Sequence, residues 1–174
     1  MKKIIMLAVT LLALTACVHT HTHSGDTHEH EDKLQLTAYN DRLEVYAEAT
    51  PLVVGRESSI LVHLTRLDNF KPLQKGKVTL CLNTRNQSVR QTADTPSQPG
   101  IYSLTITPTD KGNGKILIDV ETDGETSRLC IDNIHVFDNE TDANHDAAGK
   151  TATSSNGVAF SKEMSWKADF ATEV

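Results

Sequence analysis

The chain has 174 residues, of which 38% are hydrophobic and only 5% aromatic, and its formal net charge is −6. An acidic chain repels nucleic-acid phosphates and anionic lipid headgroups, so DNA and RNA are excluded as expected partners. The length is sufficient for one hydrophobic core, which aliphatic side chains must fill because aromatic ones are few.

The first sixteen residues, MKKIIMLAVTLLALTA, have the organisation of a signal peptide. Lys2 and Lys3 precede an uncharged, mostly apolar run over residues 4–14. This run is shorter than the about 20 apolar residues that span a bilayer, and it has the length of a signal-peptide core. We therefore predict a signal peptide over residues 1–16. Its removal takes away two lysines and leaves 15 basic residues against 23 acidic ones.

The next residue extends this prediction. The run Leu14-Thr15-Ala16-Cys17 resembles the bacterial lipobox, in which an aliphatic residue and two small residues precede a cysteine. The resemblance implies diacylglycerol on the Cys17 thiol, cleavage before Cys17 and acylation of its amine. One acyl chain holds a protein only marginally, whereas two or more hold it firmly. We expect a lipid-anchored protein of the cell envelope, on the inner or the outer membrane. The alternative is an ordinary secretory signal with a chance cysteine.

Residues 17–33 contain almost no apolar side chains, which predicts a disordered tether. The tether is rich in histidine, at His19, His21, His23, His28 and His30. In an extended chain alternate side chains point the same way, so the first three can converge on one ion. Neutral imidazole suits Zn²⁺, Cu²⁺ and Ni²⁺, and nearby carboxylates can complete the shell.

We therefore predict transient binding of Zn, Cu or Ni by this tether, with no cofactor required. Because a disordered segment loses chain entropy when it closes around a metal, modest affinity and fast exchange are expected. Two alternatives remain open. The histidines are a polar spacer, or they sense pH by gaining charge near pH 6.

From residue 34 onward, apolar and polar residues alternate in short runs, as they do in half-buried strands. The predicted strands cover residues 34–36, 43–47, 59–65, 77–83, 88–92, 101–106, 115–120 and 126–137. Asp123-Gly124 is a two-residue hairpin signal, and a bulge is expected near Asp132-Asn133. We predict an all-β fold, an immunoglobulin-like β-sandwich over residues 34–137.

Cys81 and Cys130 each lie on the face of a predicted strand opposite the aliphatic residues. In an exported protein such a pair can form a disulfide. A bridge requires that their outer faces belong to neighbouring strands, and two free thiols are the alternative.

The chain after the sandwich divides into two parts. Residues 138–156 are polar and rich in small side chains, which predicts a linker. Residues 157–174 form a C-terminal extension that contains Trp166, the only tryptophan. Trp166 and Phe170 are expected to be packing residues, and we predict that the extension is poorly docked.

No catalytic motif is present: the chain lacks GxSxG, HExxH, a Gly-rich phosphate loop and a nucleophile with a spaced base. We do not expect an enzyme. His63 is predicted on the outer face of its strand, as a surface residue rather than a ligand. His135 and His145 are too scattered in sequence to define a site.

Three segments carry a family resemblance: NFKPL at 69–73, PGIY at 99–102 and SKEMSWKADFATE at 161–173. With the lipobox and the tether, this order resembles the N-terminal region of periplasmic adaptor subunits, or membrane fusion proteins, of resistance-nodulation-division efflux pumps. The heavy-metal branch, in lipoproteins of Bacteroidetes type, is the most similar group. The resemblance implies an extended start of a membrane-proximal segment at residues 157–174.

The same resemblance implies an inner-membrane pump and an outer-membrane channel as partners. Such adaptors continue with lipoyl-like, helical-hairpin and barrel domains, which lie outside residues 1–174. We therefore expect a truncated adaptor, a fragment or a stand-alone accessory protein. Two functions follow: metal capture and docking within an efflux system, or a lipoprotein binding module for a protein or glycan with an incidental spacer.

Overall fold

The computed structural model describes residues 33–151 and 161–168, and the side chains of all of these except 147–151. The predictions for the signal peptide, Cys17, Phe170 and the five histidines of the tether lie outside these residues.

The described chain is an all-β sandwich of two four-stranded antiparallel sheets, as the sequence predicts. One sheet has the order β1-β2-β3-β6 and the other the order β5-β4-β7-β8. The strands are β1 Leu34–Tyr39, β2 Leu43–Ala49, β3 Ser58–Arg66, β4 Lys77–Thr84, β5 Ser88–Ala93, β6 Ile101–Ile106, β7 Gly112–Thr122 and β8 Glu125–Val136. The groups β2-β3-β6 and β4-β7-β8 match strands A-B-E and C-F-G of immunoglobulin-type sandwiches.

The core lies between the sheets and is formed by every second residue of each inner strand. Fully buried aliphatic residues include Val45, Val62, Leu80, Leu82 and Ile118. Burial of one such side chain contributes about 1.5–3 kcal/mol relative to its exposure. Among the described residues, Tyr102 is the one aromatic side chain that is fully buried in the core, and its hydroxyl donates to the carbonyl oxygen of Gly76 at 3.2 Å.

The predicted hairpin and bulge are both confirmed. Asp123 and Gly124 join β7 to β8 with φ angles of 53° and 81°, which is the conformation of a type I′ turn. Asn133 has a φ of 60°. Next to it the register changes from Gly114 opposite Ile134 to Ile116 opposite Ile131, so β8 carries one extra residue.

Cys81 and Cys130 do not form a disulfide. Both are free, and each lies opposite Leu117, one from β4 and the other from β8. Strand β7 therefore separates them by two strand spacings of about 4.8 Å each, whereas a disulfide requires Cα atoms within about 7 Å. Cys81 is buried because its strand is flanked on both sides, and Cys130 is exposed on the edge strand.

The segment predicted as a linker contains the helix α1, Glu140–Thr151. The side chain of Asn139 caps this helix by accepting from the backbone N–H of Asp142 at 3.0 Å. Glu140 and Asp142 place negative charge in the first turn, where the helix dipole favours it. A second, short helix, α2, spans Lys162–Ser165. Neither helix is long and apolar enough to cross a membrane.

Candidate functional site

Residues 161–168, here called the strap, pack on the outer face of the sheet that contains β3. Ser161 caps α2, since its hydroxyl accepts from the backbone N–H of Met164 at 3.4 Å. The predictions of an extended and poorly docked segment are therefore wrong for the strap. The strap docks because of a tertiary contact: the indole of Trp166 fits closely against the sheet.

Trp166 is the anchor of the strap. Its side chain is only 8% exposed, and its indole Nε1 donates to the Thr65 hydroxyl at 2.8 Å. A Cβ atom at Gly100 would lie 2.7 Å from Cη2 of the indole and 2.6 Å from the Cβ of Pro72. Gly100 has a φ of 79°, so glycine meets both the steric and the conformational need at this position. The interpretation of Trp166 as a packing residue is confirmed.

Polar contacts hold the strap at either end of α2. The Lys162 ammonium forms an ion pair with Glu44 of β2, and both side chains are largely shielded from solvent. The Lys71 ammonium donates to the backbone carbonyl of Trp166 at 3.4 Å. These contacts fix the direction in which the chain crosses the sheet.

His63 lies beneath the strap and is buried, with 3% of its surface exposed. Its ring packs between those of Tyr46 and Trp166, at centroid distances of 5.6 and 6.0 Å. The prediction of a surface residue is wrong, although the predicted outer face is correct. The strap and Tyr46 cover a face that strand alternation alone would leave open to water.

The two nitrogens of His63 have no hydrogen-bond partner. The carboxylate of Glu163 approaches Nδ1 to 3.3 Å, which is close enough for charge attraction but is not aligned as a hydrogen bond. A buried polar group without a partner costs about 1–3 kcal/mol. The imidazole is therefore an unsatisfied group inside the contact between the strap and the sheet.

Burial lowers the pKa of His63 below its ordinary value, against the smaller opposing effects of the Glu163 and Glu48 charges. Hydrogen bonding from its own backbone N–H, helped by the Ser161 hydroxyl, holds the pKa of Glu163 below its usual range. Burial, with the Glu48 carboxylate beside it, raises the pKa of Tyr46 to about 12. At neutral pH the site therefore holds a neutral imidazole, an ionised carboxylate and a neutral phenol.

Protein-family models, curated proteins and solved structures were compared with this chain, and none matches it. A proposal about function therefore rests on the chemistry of the chain's own residues.

The remaining histidines do not join His63. The Nδ1 atom of His135 lies 2.6 Å from the Asn113 amide oxygen, and its ring packs edge-on against Phe137 at 4.4 Å. His145 lies on α1. Across residues 33–151 and 161–168, no group of three or more His, Cys, Asp and Glu side chains is arranged to hold a metal.

A charged cluster lies at the end of the sandwich that carries the β7–β8 turn. Its ion pairs join Arg42 to Glu125, Arg66 to Asp68, and Lys75 to Asp123. Arg42, Arg66 and Asp68 of these pairs line a cavity of about 170 Å³. Because these charges are paired with one another and largely exposed, the cluster stabilises the turns only slightly.

Sequence reasoning missed the cluster of His63, Glu163 and Trp166. A partial signal was present, since β-alternation places His63 and Thr65 on one outer face and the only tryptophan lies near the end of the chain. What alternation cannot supply is the long-range pairing that brings residue 166 to within hydrogen-bond distance of residue 65.

Proposed function

We propose that the chain is a lipid-anchored component of a metal-cation efflux system in the cell envelope. Its tether captures metal ions, and its sandwich docks to other components of the system. One observation carries this proposal: five histidines within residues 19–30 follow directly on Cys17 of the lipobox. This composition is a recognised metal-binding bias.

The fold supports this division of roles. The first strand begins at Leu34, directly after the tether, so a captured ion is held close to a folded domain. Within the described residues no cluster of metal ligands competes with the tether. Modest affinity and fast exchange suit capture and hand-off, whereas a rigid pre-organised site would be needed for catalysis.

The adaptor-like role of the sandwich rests on the sequence resemblance of the strap, although the strap is helical rather than extended as that resemblance implies. The strap contains the start of the segment that resembles the entry into the membrane-proximal domain of efflux adaptors. Trp166 and Lys162 tie residues 161–168 of this segment to the sheet, so the sandwich sets the direction of the strap. Docking to an inner-membrane pump and an outer-membrane channel is part of the proposal.

A second candidate is a stand-alone binding module for a protein or glycan. Exposed apolar side chains favour it: Tyr39 is 78% exposed, Phe70 55% and Met164 50%. Tyr39 lies opposite Glu44, the partner of Lys162, so Tyr39 and the strap share one end of the sheet. Such side chains are available to a partner without any metal.

Calorimetric titration of Zn²⁺, Cu²⁺ and Ni²⁺ tests the proposal. The protein is the mature chain from residue 17 with Cys17→Ser and an acetylated amine. Acetylation is needed because a free amine close to His19 would create a metal site that the acylated native residue lacks. We expect micromolar binding that is lost when all five tether histidines are replaced by asparagine.

The matched control replaces His135 and His145 by asparagine, which removes exposed imidazoles outside the tether. This control is expected to bind metal like the parent chain. Equal binding by all three proteins, or binding by none, would make the tether a spacer and favour the binding module.

A further inference from the structure

His63 is a buried titratable residue of the sandwich that metal capture by the tether does not use. It is 3% exposed, its ring nitrogens lack hydrogen-bond partners, and its cover is a strap of eight residues. The same strap carries the carboxylate nearest to the ring. A change in the charge of His63 therefore acts directly on the contact that holds the strap.

We propose that the strap is a pH-sensitive latch, docked over a neutral His63 and released from the sheet when His63 binds a proton. The device consists of the strap and the sheet residues around His63, and it does not depend on metal binding by the tether.

The charged and titratable groups that face His63 come from two elements. From α2 they are Glu163, which favours the protonated ring, and Lys162, which disfavours it. From β2 they are Glu48, which favours the protonated ring, and Tyr46, whose phenol is neutral. On β6, the residue opposite His63 is Ile101, which carries no charge.

Burial outweighs these attractions because the ring itself is enclosed whereas its counter-charge is not. The Glu163 side chain is 41% exposed, so water screens its field at the ring. The contact of 3.3 Å also lacks hydrogen-bond alignment. An imidazolium in this place would be a poorly compensated buried charge, which folded proteins avoid.

The direction of the pH dependence follows from the two states. In the docked state the pKa of His63 is lowered by burial. In the released state the ring faces water and titrates near its ordinary value of about 6.5. The released state therefore binds more protons, and docking loses stability as pH falls. Docking is fully stable above pH of about 6.5 and weakens progressively below it.

Trp166 reports on the latch because it is the only tryptophan and lies on the strap. The experiment follows the wavelength of maximum tryptophan emission and the acrylamide quenching constant from pH 8 to pH 5, with a chelator present. The full mature chain with Cys17→Ser is used. We expect a reversible red shift and a several-fold rise in quenching below pH of about 6.5. Far-UV circular dichroism should stay unchanged, because the sandwich remains folded.

Four variants decide the origin of the shift. His63→Leu keeps a large apolar side chain under the strap and should abolish the pH response, whereas His135→Asn should retain it. Glu163→Gln removes the attraction that opposes release and should enlarge the response. The variant with five tether asparagines should respond like the parent chain, so the latch and metal capture can fail separately.

Three results would overturn the latch. One is a constant emission wavelength in the parent chain, and another is an equal red shift in His63→Leu. The third is tighter docking at low pH that Glu163→Gln abolishes, which would mean that His63 and Glu163 form a clamp instead.

Discussion

At the scale of single residues, the contact between the strap and the sheet depends on the absence of a Cβ atom at Gly100. A Cβ atom at position 100 would clash with the indole of Trp166 and with the Pro72 side chain. Gly100 also shares a positive φ with Gly55, at 79° and 72°, but a Cβ at Gly55 would meet nothing within 4 Å. Substitutions at Gly55 therefore test backbone strain alone, whereas substitutions at Gly100 test backbone strain together with a steric clash.

We predict that Gly55→Ala costs about 1 kcal/mol of stability, through the positive φ alone. Gly100→Ala should cost about 2 kcal/mol more, because the new methyl group overpacks the site. Denaturant unfolding measures both values. Gly100→Ala should also raise the quenching of Trp166 at neutral pH, and equal effects of the two substitutions would contradict the packing described for the indole.

For His63, the sequence predicts the face of the strand correctly and its exposure to solvent incorrectly. Period-two alternation places it correctly on the outer face of β3, since its neighbours Val62 and Leu64 are buried in the core. Alternation says nothing about what covers an outer face. Burial of His63 depends on a segment 100 residues further along the chain, which no local pattern encodes.

At the scale of elements, local signals were sufficient for the strands. All eight predicted strands are present, because each has its own alternation and is bounded by turn residues. The hairpin at Asp123-Gly124 and the bulge near Asn133 were also readable, since both rest on residues that tolerate a positive φ. The strap was not readable because its helix has only four residues and is fixed by tertiary contacts.

The bulge gives a prediction for β8. Asn133 has a φ of 60°, which asparagine and glycine adopt with little strain. We expect Asn133→Gly to leave the free energy of unfolding nearly unchanged and Asn133→Ala to lower it by about 1 kcal/mol. Denaturant titrations of the two variants test this. An alanine variant as stable as the parent would mean that β8 can run without the extra residue.

At the scale of the whole molecule, the sandwich is held together by its core rather than by a covalent cross-link. Cys81 and Cys130 lie on the same outer face but on strands separated by β7. The sequence left open whether they are bridged, because strand order is a property of the fold and not of either strand. Pairing of β7 with β4 on one side and with β8 on the other decides the matter.

We therefore expect the melting temperature of the mature chain with Cys17→Ser to be the same with and without a reducing agent. After unfolding without reductant, a thiol reagent should titrate two groups per chain. The control is the Cys130→Ser variant, which should melt normally and titrate one group. A drop in melting temperature on reduction would contradict the strand order described here.

The proposed function assigns different tasks to two parts of the chain. The sandwich and strap are packed by burial, and the histidines at 19–30 lie outside the described residues. The proposed metal capture rests on the donor chemistry of the tether, and the proposed docking rests on the fold of the sandwich.

The most direct test of metal capture is nuclear magnetic resonance of the imidazole nitrogens while Zn²⁺ is added to the mature, acetylated chain. All eight histidines can be followed separately, and His63, His135 and His145 serve as internal references. We predict that the signals of His19, His21, His23, His28 and His30 shift while the three reference signals stay in place. Shifts confined to the references, or no shift at millimolar Zn²⁺, would contradict the proposed function.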